Sequence, residues 1–166
     1  MKLLDRNGLK ADVYRRMSEG QFDGPGIVSL AELADGAQPA AGKLGLAIEN
    51  TANVRDVERH FDSVTLIVIH FPSFGDGRGF TLARRLRRAG FGGTLRASGP
   101  LIPDQFAFAL ACGFDEVELP EGQIERQPVE QWRGALTAFS APYQQGYRRP
   151  RTILEERRRN APEAAR

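Results

Sequence analysis

The feature that most constrains the fold is an apolar run, Val64–His70, in which β-branched residues follow one another with almost no polar alternation. A strand with one face in water alternates apolar and polar residues, whereas a strand covered on both faces does not. Just before the run, Val54, Val57 and Phe61 recur at the three- and four-residue spacing of a helix face. A covered strand next to such a helix is typical of a parallel sheet in an α/β protein.

The alternation of strand and helix patterns continues along most of the chain. Strands are predicted at Leu44–Ile48, Val64–His70, Thr94–Ser98 and Asp115–Leu119. Helices are predicted after the capping residue Asn53, at Phe80–Ala89, at Asp104–Cys112 with Gly113 as its end, and at Glu125–Phe139. We therefore expect one α/β domain with a mostly parallel sheet of about four βα units, arranged as an open sandwich or a half-barrel.

The chain divides by composition into three parts. Residues 1–43 are polar and rich in glycine, and we interpret them as an N-terminal arm and linker, with a short strand pair around Lys2–Leu4 and Asp12–Tyr14. Residues 44–140 form the expected α/β core. Residues 141–166 are interpreted as a disordered basic tail, since seven arginines and three glutamates follow from Tyr147 onward. The net charge of +2 therefore reflects the tail, and we expect no nucleic-acid partner for the domain.

The expected location is the cytoplasm. The chain has one cysteine, Cys112, so it can form no intramolecular disulfide, which fits a reducing compartment. Residues 1–14 contain no apolar core of the kind a signal peptide needs. The longest apolar stretch, residues 64–71, is too short to span a bilayer, so no membrane association is expected.

A glycine-rich loop, residues 72–79, follows the central strand and contains the first candidate site residues. Asp76, Gly77 and Arg78 lie where a loop turns into a helix, and the free N–H groups of such a helix can face an anion. Arg78 would add a fork of donors. The spacing matches neither a Rossmann fingerprint nor a P-loop. The alternative is a tight turn in which Asp76 and Arg78 cap the helix or pair with each other.

A second candidate group follows the next strand. Arg96 lies inside a strand that should be covered on both faces, so its guanidinium needs a carboxylate or an anionic ligand. Asp76 and Asp104 are the expected partners, and Gln105 and His70 are expected to lie near the same pocket, with His70 as a candidate acid or base. The alternative, which we favour, is a structural ion pair at Arg96, with Asp104 capping its helix.

The remaining reactive residues are few. Cys112 is expected to be a small buried apolar residue, and His60 a residue of a helix face. One cysteine and two histidines provide no iron–sulfur or zinc ligand set, and no Gly-x-Ser-x-Gly nucleophile elbow occurs. No metal is therefore expected, and the catalytic residues, the cofactor and the oligomeric state stay open.

Several ordered motifs resemble a bacterial family, the domain-of-unknown-function family numbered 934. The similar motifs are Gly75-Asp76-Gly77-Arg78-Gly79-Phe80, Ala83-Arg84-Arg85-Leu86-Arg87, Leu95-Arg96-Ala97 with Gly99, Asp104-Gln105 and Cys112-Gly113-Phe114-Asp115. Members commonly have Gly-Asp-Val where this chain has Gly99-Pro100-Leu101. The resemblance implies a context: such proteins are typically encoded beside assimilatory sulfite reductase and are sometimes labelled oxidoreductases, without assigned catalytic residues.

Three functional hypotheses follow. In the first, the protein is an accessory factor of sulfate and sulfite reduction that assists assembly of sulfite reductase or electron delivery to it, with the reductase or its electron donor as partner. In the second, it is an oxidoreductase that binds a nucleotide or flavin at the Gly75–Gly79 loop. In the third, it is an oxyanion-binding protein in which Arg78 and Arg96 hold sulfite or sulfate.

Overall fold

The computed structural model describes residues 2–17, 23–37, 39 and 42–138. Within them the chain forms eight strands and six helices around a single sheet. The strands are β1 Lys2–Asp5, β2 Gly8–Lys10, β3 Arg15–Arg16, β4 Gly26–Ser29, β5 Leu44–Glu49, β6 Val64–His70, β7 Thr94–Ser98 and β8 Glu116–Leu119. The helices are α1 Leu30–Ala34, α2 Val54–Glu58, α3 Arg78–Arg88, α4 Pro103–Cys112, α5 Glu121–Arg126 and α6 Val129–Ala138.

The sheet has the strand order β2-β1-β8-β7-β6-β5-β4-β3. Strands β3 to β8 pair parallel with one another, whereas β1 pairs antiparallel with both β8 and β2. The α/β class is therefore confirmed. The expectation of about four strands is corrected, since the sheet is mixed and has eight.

The additional strands come from residues 2–29, the stretch interpreted as an arm. The strand expected around Lys2–Leu4 is present as β1, but its hairpin partner is β2 at Gly8–Lys10 rather than Asp12–Tyr14, which is not a strand. Polar composition hid β2 and β3 because they lie at sheet edges, where side chains stay exposed. The apolar residues Leu3 and Leu4 are nevertheless 1% and 0% exposed, because β1 covers the outer side of β8. The proposed tail, residues 141–166, lies outside the described residues.

Two predicted helix ends, Asn53 and Gly113, are confirmed, and one predicted helix is corrected. The Asn53 side chain accepts a hydrogen bond from the Arg55 N–H at the start of α2, and Gly113 ends α4 with φ +106°. The single helix expected at residues 125–139 is instead two helices, α5 and α6. Pro128 separates them because proline disfavours a helical conformation in the residue before it.

The helices cover one face of the sheet. Ile69, Ala97 and Val117 project from β6, β7 and β8 into the main apolar core, where they meet side chains such as Leu86 and Phe106 from α3 and α4. Trp132 of α6 is fully buried against this layer. Because successive strand residues alternate faces, their sequence neighbours point to the opposite face. None of the described helices is long and apolar enough to cross a membrane.

The opposite face is concave. Arg16 of β3 and Glu118 of β8 are separated by five strand spacings, which in a flat sheet would amount to about 24 Å. Yet Nη2 of Arg16 lies 3.0 Å from Oε2 of Glu118. The sheet must therefore curl until its two sides approach each other, which gives the half-barrel form that the sequence left as one of two alternatives.

Candidate functional site

A row of polar side chains crosses the concave face at the carboxyl ends of β5 to β8. The strand register aligns Glu49 with His70, His70 with Ser98, and Ser98 with Glu118. Neighbouring parallel strands lie about 4.8 Å apart, so these four residues form one continuous line. In parallel α/β sheets this end of the strands is the usual place for ligands.

Below this row, nearer the middle of the strands, lies a second layer of charged side chains, and these are paired with one another. Arg96 is 1% exposed; its Nε donates to Oε1 of Glu116 at 2.8 Å, and its Nη1 and Nη2 donate to the carboxylate of Asp12 at 2.8 and 2.9 Å. Lys10 pairs with the other oxygen of Glu116. This corrects the expected partners of Arg96, which are Asp12 and Glu116 rather than Asp76 and Asp104.

The Arg96 cluster is a structural ion pair of the kind we favoured. Burial opposes the positive charge, but the hydrogen bonds to Asp12 and Glu116 outweigh it and raise the pKa of Arg96 above its usual value. A protein with such a buried ion pair is often no more stable than one in which apolar residues replace the whole group. Removing one member alone is destabilising, because the other member is left as an uncompensated buried charge.

The segment of residues 11–17, which we name the strap, covers the concave face. Asp12 reaches Arg96, the Tyr14 hydroxyl lies 2.8 Å from Oγ1 of Thr65, and Arg16 reaches Glu118. The Tyr14 ring also packs beside a small apolar cluster that includes Leu66 and Val68. The strap therefore occupies the open side of the half-barrel, where further strands would stand in a closed barrel.

Above the strap a cleft of about 690 Å³ remains open at the carboxyl ends of the strands. Its polar wall consists of the row of Glu49, His70, Ser98 and Glu118, with Arg16 from the strap. Its apolar wall includes Ala47, Ile48 and Val68. The volume lies within the range of small-molecule sites in proteins, roughly 300–1,000 Å³.

The glycine-rich loop lies outside this cleft. Its own residues occupy the position where a ligand was expected. The Arg78 side chain donates to both oxygens of Asp76, from Nε at 2.9 Å and from Nη2 at 2.5 Å, and the Arg78 backbone N–H donates to Oδ1 at 3.2 Å. The Asp76 carboxylate thus occupies the start of α3, where an anion was considered. Gly77 precedes the helix, and a Cβ there would meet no atom within 4 Å.

Two further contacts give this loop a structural role. A Cβ at Gly79 would lie 2.3 Å from the Phe71 ring, so this glycine permits packing of α3 on the end of β6. The Gln105 amide donates to the Phe74 carbonyl at 2.6 Å and accepts from the Ile102 N–H. Asp104 was expected to cap α4, but the N-cap residue is Ile102, and Asp104 is exposed in the first turn of the helix.

The Asp76–Arg78 pair predicts a pH-dependent contribution to stability. Arg78 and, to a smaller extent, the nearby Asn50 amide hold the pKa of Asp76 well below its usual value. A lowered folded-state pKa adds stability above the pKa of an unfolded aspartate, and this stability is lost as pH falls through the folded-state value. We therefore expect Asp76→Asn to unfold at lower urea than the wild type at neutral pH, with a difference that shrinks below about pH 4.

The control for this prediction is Asp62→Asn, which changes an exposed aspartate outside the loop. Urea midpoints of the three proteins at neutral pH and near pH 3 are the measurement. An Asp76→Asn difference that stayed constant over this range would contradict the assigned cause.

A groove between α2 and α3 carries positive charge. Arg55, Arg85 and Arg88 line a shallow depression of about 610 Å³, together with Thr51 and Asn53. All three guanidinium groups belong to exposed residues, and none takes part in an ion pair with another described residue. We name this depression the arginine groove.

The sequence identified one residue of the cleft, His70, and missed its neighbours. Glu116 and Glu118 alternate with Val117 and Leu119, and this period of two was the available signal for a polar sheet face in β8. No comparable signal marked Arg16, and Asp12 was considered only as part of an expected short strand and not as a site residue.

The remaining reactive residues have no evident role in a site. Cys112 is buried, and burial raises the pKa of its thiol. In the described part of the chain, no three histidine, cysteine or acidic side chains stand together in a way suited to a metal ion. His60 is half-buried just after α2, away from the cleft.

Comparison with known proteins identifies the family. The model of the family described as bacterial protein of unknown function (DUF934) matches residues 45–154. The chain belongs to this family. The match begins in β5 and therefore includes the whole polar row of the cleft, whereas the strap precedes it. No curated protein gives a significant match.

Proposed function

We propose that this DUF934 protein is an accessory factor of assimilatory sulfate and sulfite reduction. It binds sulfite reductase or its electron donor and assists assembly or electron delivery. Membership of the family supports this role, since the resemblance implies a gene context beside assimilatory sulfite reductase.

The structural observation that supports partner binding is the arginine groove. Arg55, Arg85 and Arg88 present three positive charges without a carboxylate partner among the described residues. Such a surface attracts an acidic partner over several ångströms and speeds association, most strongly at low salt. The three arginines lie on α2 and α3 rather than on the strap, and none of them lines the cleft, so they can be changed without altering a cleft residue.

A growth experiment tests the pathway. A deletion strain is grown with sulfate, sulfite or sulfide as the sole sulfur source. Failure on sulfate and sulfite with rescue by sulfide is the expected result, because sulfide bypasses sulfite reduction. Normal growth on all three sources would contradict the proposal.

A binding experiment tests the surface. We expect the triple variant Arg55→Gln, Arg85→Gln, Arg88→Gln to bind purified sulfite reductase or its electron donor roughly tenfold more weakly at low salt, because each exposed charge contributes about 0.2–1 kcal/mol. The matched control is Arg6→Gln, Arg126→Gln, Arg133→Gln, which removes the same charge from exposed positions elsewhere. If both variants bound the partner equally weakly, or if the wild type bound neither protein, the arginine groove would not be the binding surface.

The two alternatives receive less support from the contacts. For a nucleotide or flavin at the Gly75–Gly79 loop, the Asp76 carboxylate already accepts the Arg78 N–H at the start of α3. For an oxyanion held by Arg78 and Arg96, both guanidinium groups are already paired with carboxylates. We therefore favour the accessory role.

A further inference from the structure

The polar row of the cleft has an acidic end. Glu49 and His70 occupy aligned positions at the ends of β5 and β6, and both are exposed to the cleft. Neither side chain has a hydrogen bond or ion pair with another described residue. Glu49 thus places an unneutralised negative charge in the wall, next to an imidazole.

The other end of the row donates hydrogen bonds. Arg16 uses its Nη2 atom for Glu118 and lies 3.5 Å from Oγ of Ser98 through the same atom. Its Nε and Nη1 atoms have no partner among the described residues, so donors of the guanidinium remain available. Glu118 is nearly fully buried and offsets the charge of Arg16, but its two oxygens engage only the Nη2 atom, so the remaining donors of the guanidinium are not used by this ion pair.

The two ends, Glu49 and Ser98, are two strand spacings apart, roughly 10 Å, and the space between them is partly apolar. Ala47 and Val68 form the floor between Glu49 on one side and Ser98 on the other, and Leu30 of α1 stands at the rim. A ligand that fits must therefore be short, with opposite charges at its ends and an apolar or hydroxylated body.

We propose that the cleft binds a small zwitterion of the amino-acid class. The ammonium group lies at Glu49 and beside His70, and the carboxylate lies at the Arg16 and Ser98 end. A plain anion satisfies only the donor end, and a plain cation satisfies only Glu49, whereas a zwitterion satisfies both. This site includes none of the three arginines of the arginine groove, although Thr51 and Ala52 border both, and it requires no protein partner.

Nuclear magnetic resonance provides the test, because the chain has two histidines. His70 lines the cleft and His60 lies outside it, so His60 serves as an internal control. The probes are L-alanine and L-serine as zwitterions, with glycolate and ethanolamine as molecules that each lack one charged end. We expect both amino acids to shift the His70 imidazole signals saturably while the His60 signals stay in place. Glycolate and ethanolamine should bind about tenfold more weakly, the effect of losing one charge contact.

A pair of variants assigns the contact. Glu49→Gln should weaken L-alanine binding by about tenfold without lowering the melting temperature, because Glu49 is exposed and has no partner among the described residues. Glu58→Gln, an exposed glutamate of α2 outside the cleft, should bind L-alanine as the wild type does. Absence of a saturable His70 shift with both amino acids, or equal affinity in Glu49→Gln and the wild type, would overturn the inference. The experiment uses the purified protein alone, so its failure leaves the accessory role untouched.

Discussion

We expect Arg96→Leu to lower the free energy of unfolding by about 3–5 kcal/mol, the usual cost of breaking a buried ion pair from one side. The substitution leaves Glu116 buried at 2% exposure with only Lys10 as a partner, and it releases Asp12 of the strap. Since a domain of this size has a total stability of roughly 5–15 kcal/mol, the loss would remove a large part of it. Urea denaturation followed by circular dichroism measures the change.

Two further variants serve as comparisons for Arg96→Leu. Arg59→Leu breaks an exposed ion pair with Asp56 on α2 and should cost less than about 1 kcal/mol. Arg96→Lys keeps a positive charge but loses the fork that contacts Asp12 and Glu116 together, so its cost should lie between the other two. If Arg96→Leu unfolded at the same urea concentration as Arg59→Leu, the buried ion pairs of Arg96 would not contribute to stability as we expect.

Gly99→Ala should lower the free energy of unfolding by a similar amount, about 2–6 kcal/mol. Gly99 follows β7 with φ +124°, and a Cβ there would lie 2.2 Å from the carbonyl oxygen of Phe71. A non-glycine residue in such a conformation costs about 1–3 kcal/mol, and forcing packed groups apart costs about 1–3 kcal/mol more. The Phe71 N–H donates to the Ser98 carbonyl at 2.7 Å, so the clash would separate β6 from β7 directly at the polar row.

The control is Gly92→Ala, where a Cβ would meet no atom within 4 Å and φ is not positive. Its urea midpoint should match or slightly exceed that of the wild type, because alanine restricts the unfolded chain. In Gly99→Ala we also expect altered His70 imidazole signals, since the substitution displaces the strand end that carries this residue. Equal stability of the two glycine variants would show that the backbone at Gly99 relaxes without cost.

The central strands could be predicted because their sequence signal is local. The run Val64–His70 and the stretch Thr94–Ser98 have the bounds that their patterns predicted. Asn53 and Gly113 mark helix ends for the same reason, as each acts through the backbone of its own few neighbours. The helix predicted at residues 125–139 is present from Val129 onward, where Val129, Trp132 and Leu136 follow helical spacing, but residues 125 and 126 belong to the separate helix α5 because Pro128 interrupts the chain between them.

The partners of Arg96 could not be predicted because they are distant in sequence. A buried guanidinium requires carboxylates, but sequence alone does not say which ones, and Asp12 lies 84 residues away. The curl of the sheet brings the strap over β7, and neither the curl nor the edge strands left a clear pattern. Asp76, which we expected at Arg96, is instead held within its own turn by Arg78, two residues later.

The row of Glu49, His70, Ser98 and Glu118 became visible only through strand register. Glu49, His70 and Ser98 are the last residues of their strands and Glu118 is the last but one of β8, and no residue of the row forms a recognisable motif by itself. Their alignment depends on the irregularity between β5 and β6 near Leu44, which shifts the pairing by one residue. Because such a shift changes which side chains share a face, the composition of the row is set by pairing details that lie several residues away.

The pairing of β1 with β8 also determines when the sheet can be completed during synthesis. Lys2 of β1 lies opposite Leu119 of β8, so roughly 115 residues separate the paired strands along the chain. At about 5–20 residues per second, the ribosome needs roughly 6–23 s between them. During that interval Leu3 and Leu4 lack the neighbouring strand β8. The hairpin of β1 and β2 is then not paired with the rest of the sheet. Closure of the sheet at β8 is therefore a late step, and a nascent chain halted before Glu116 should expose this hairpin to proteases and chaperones.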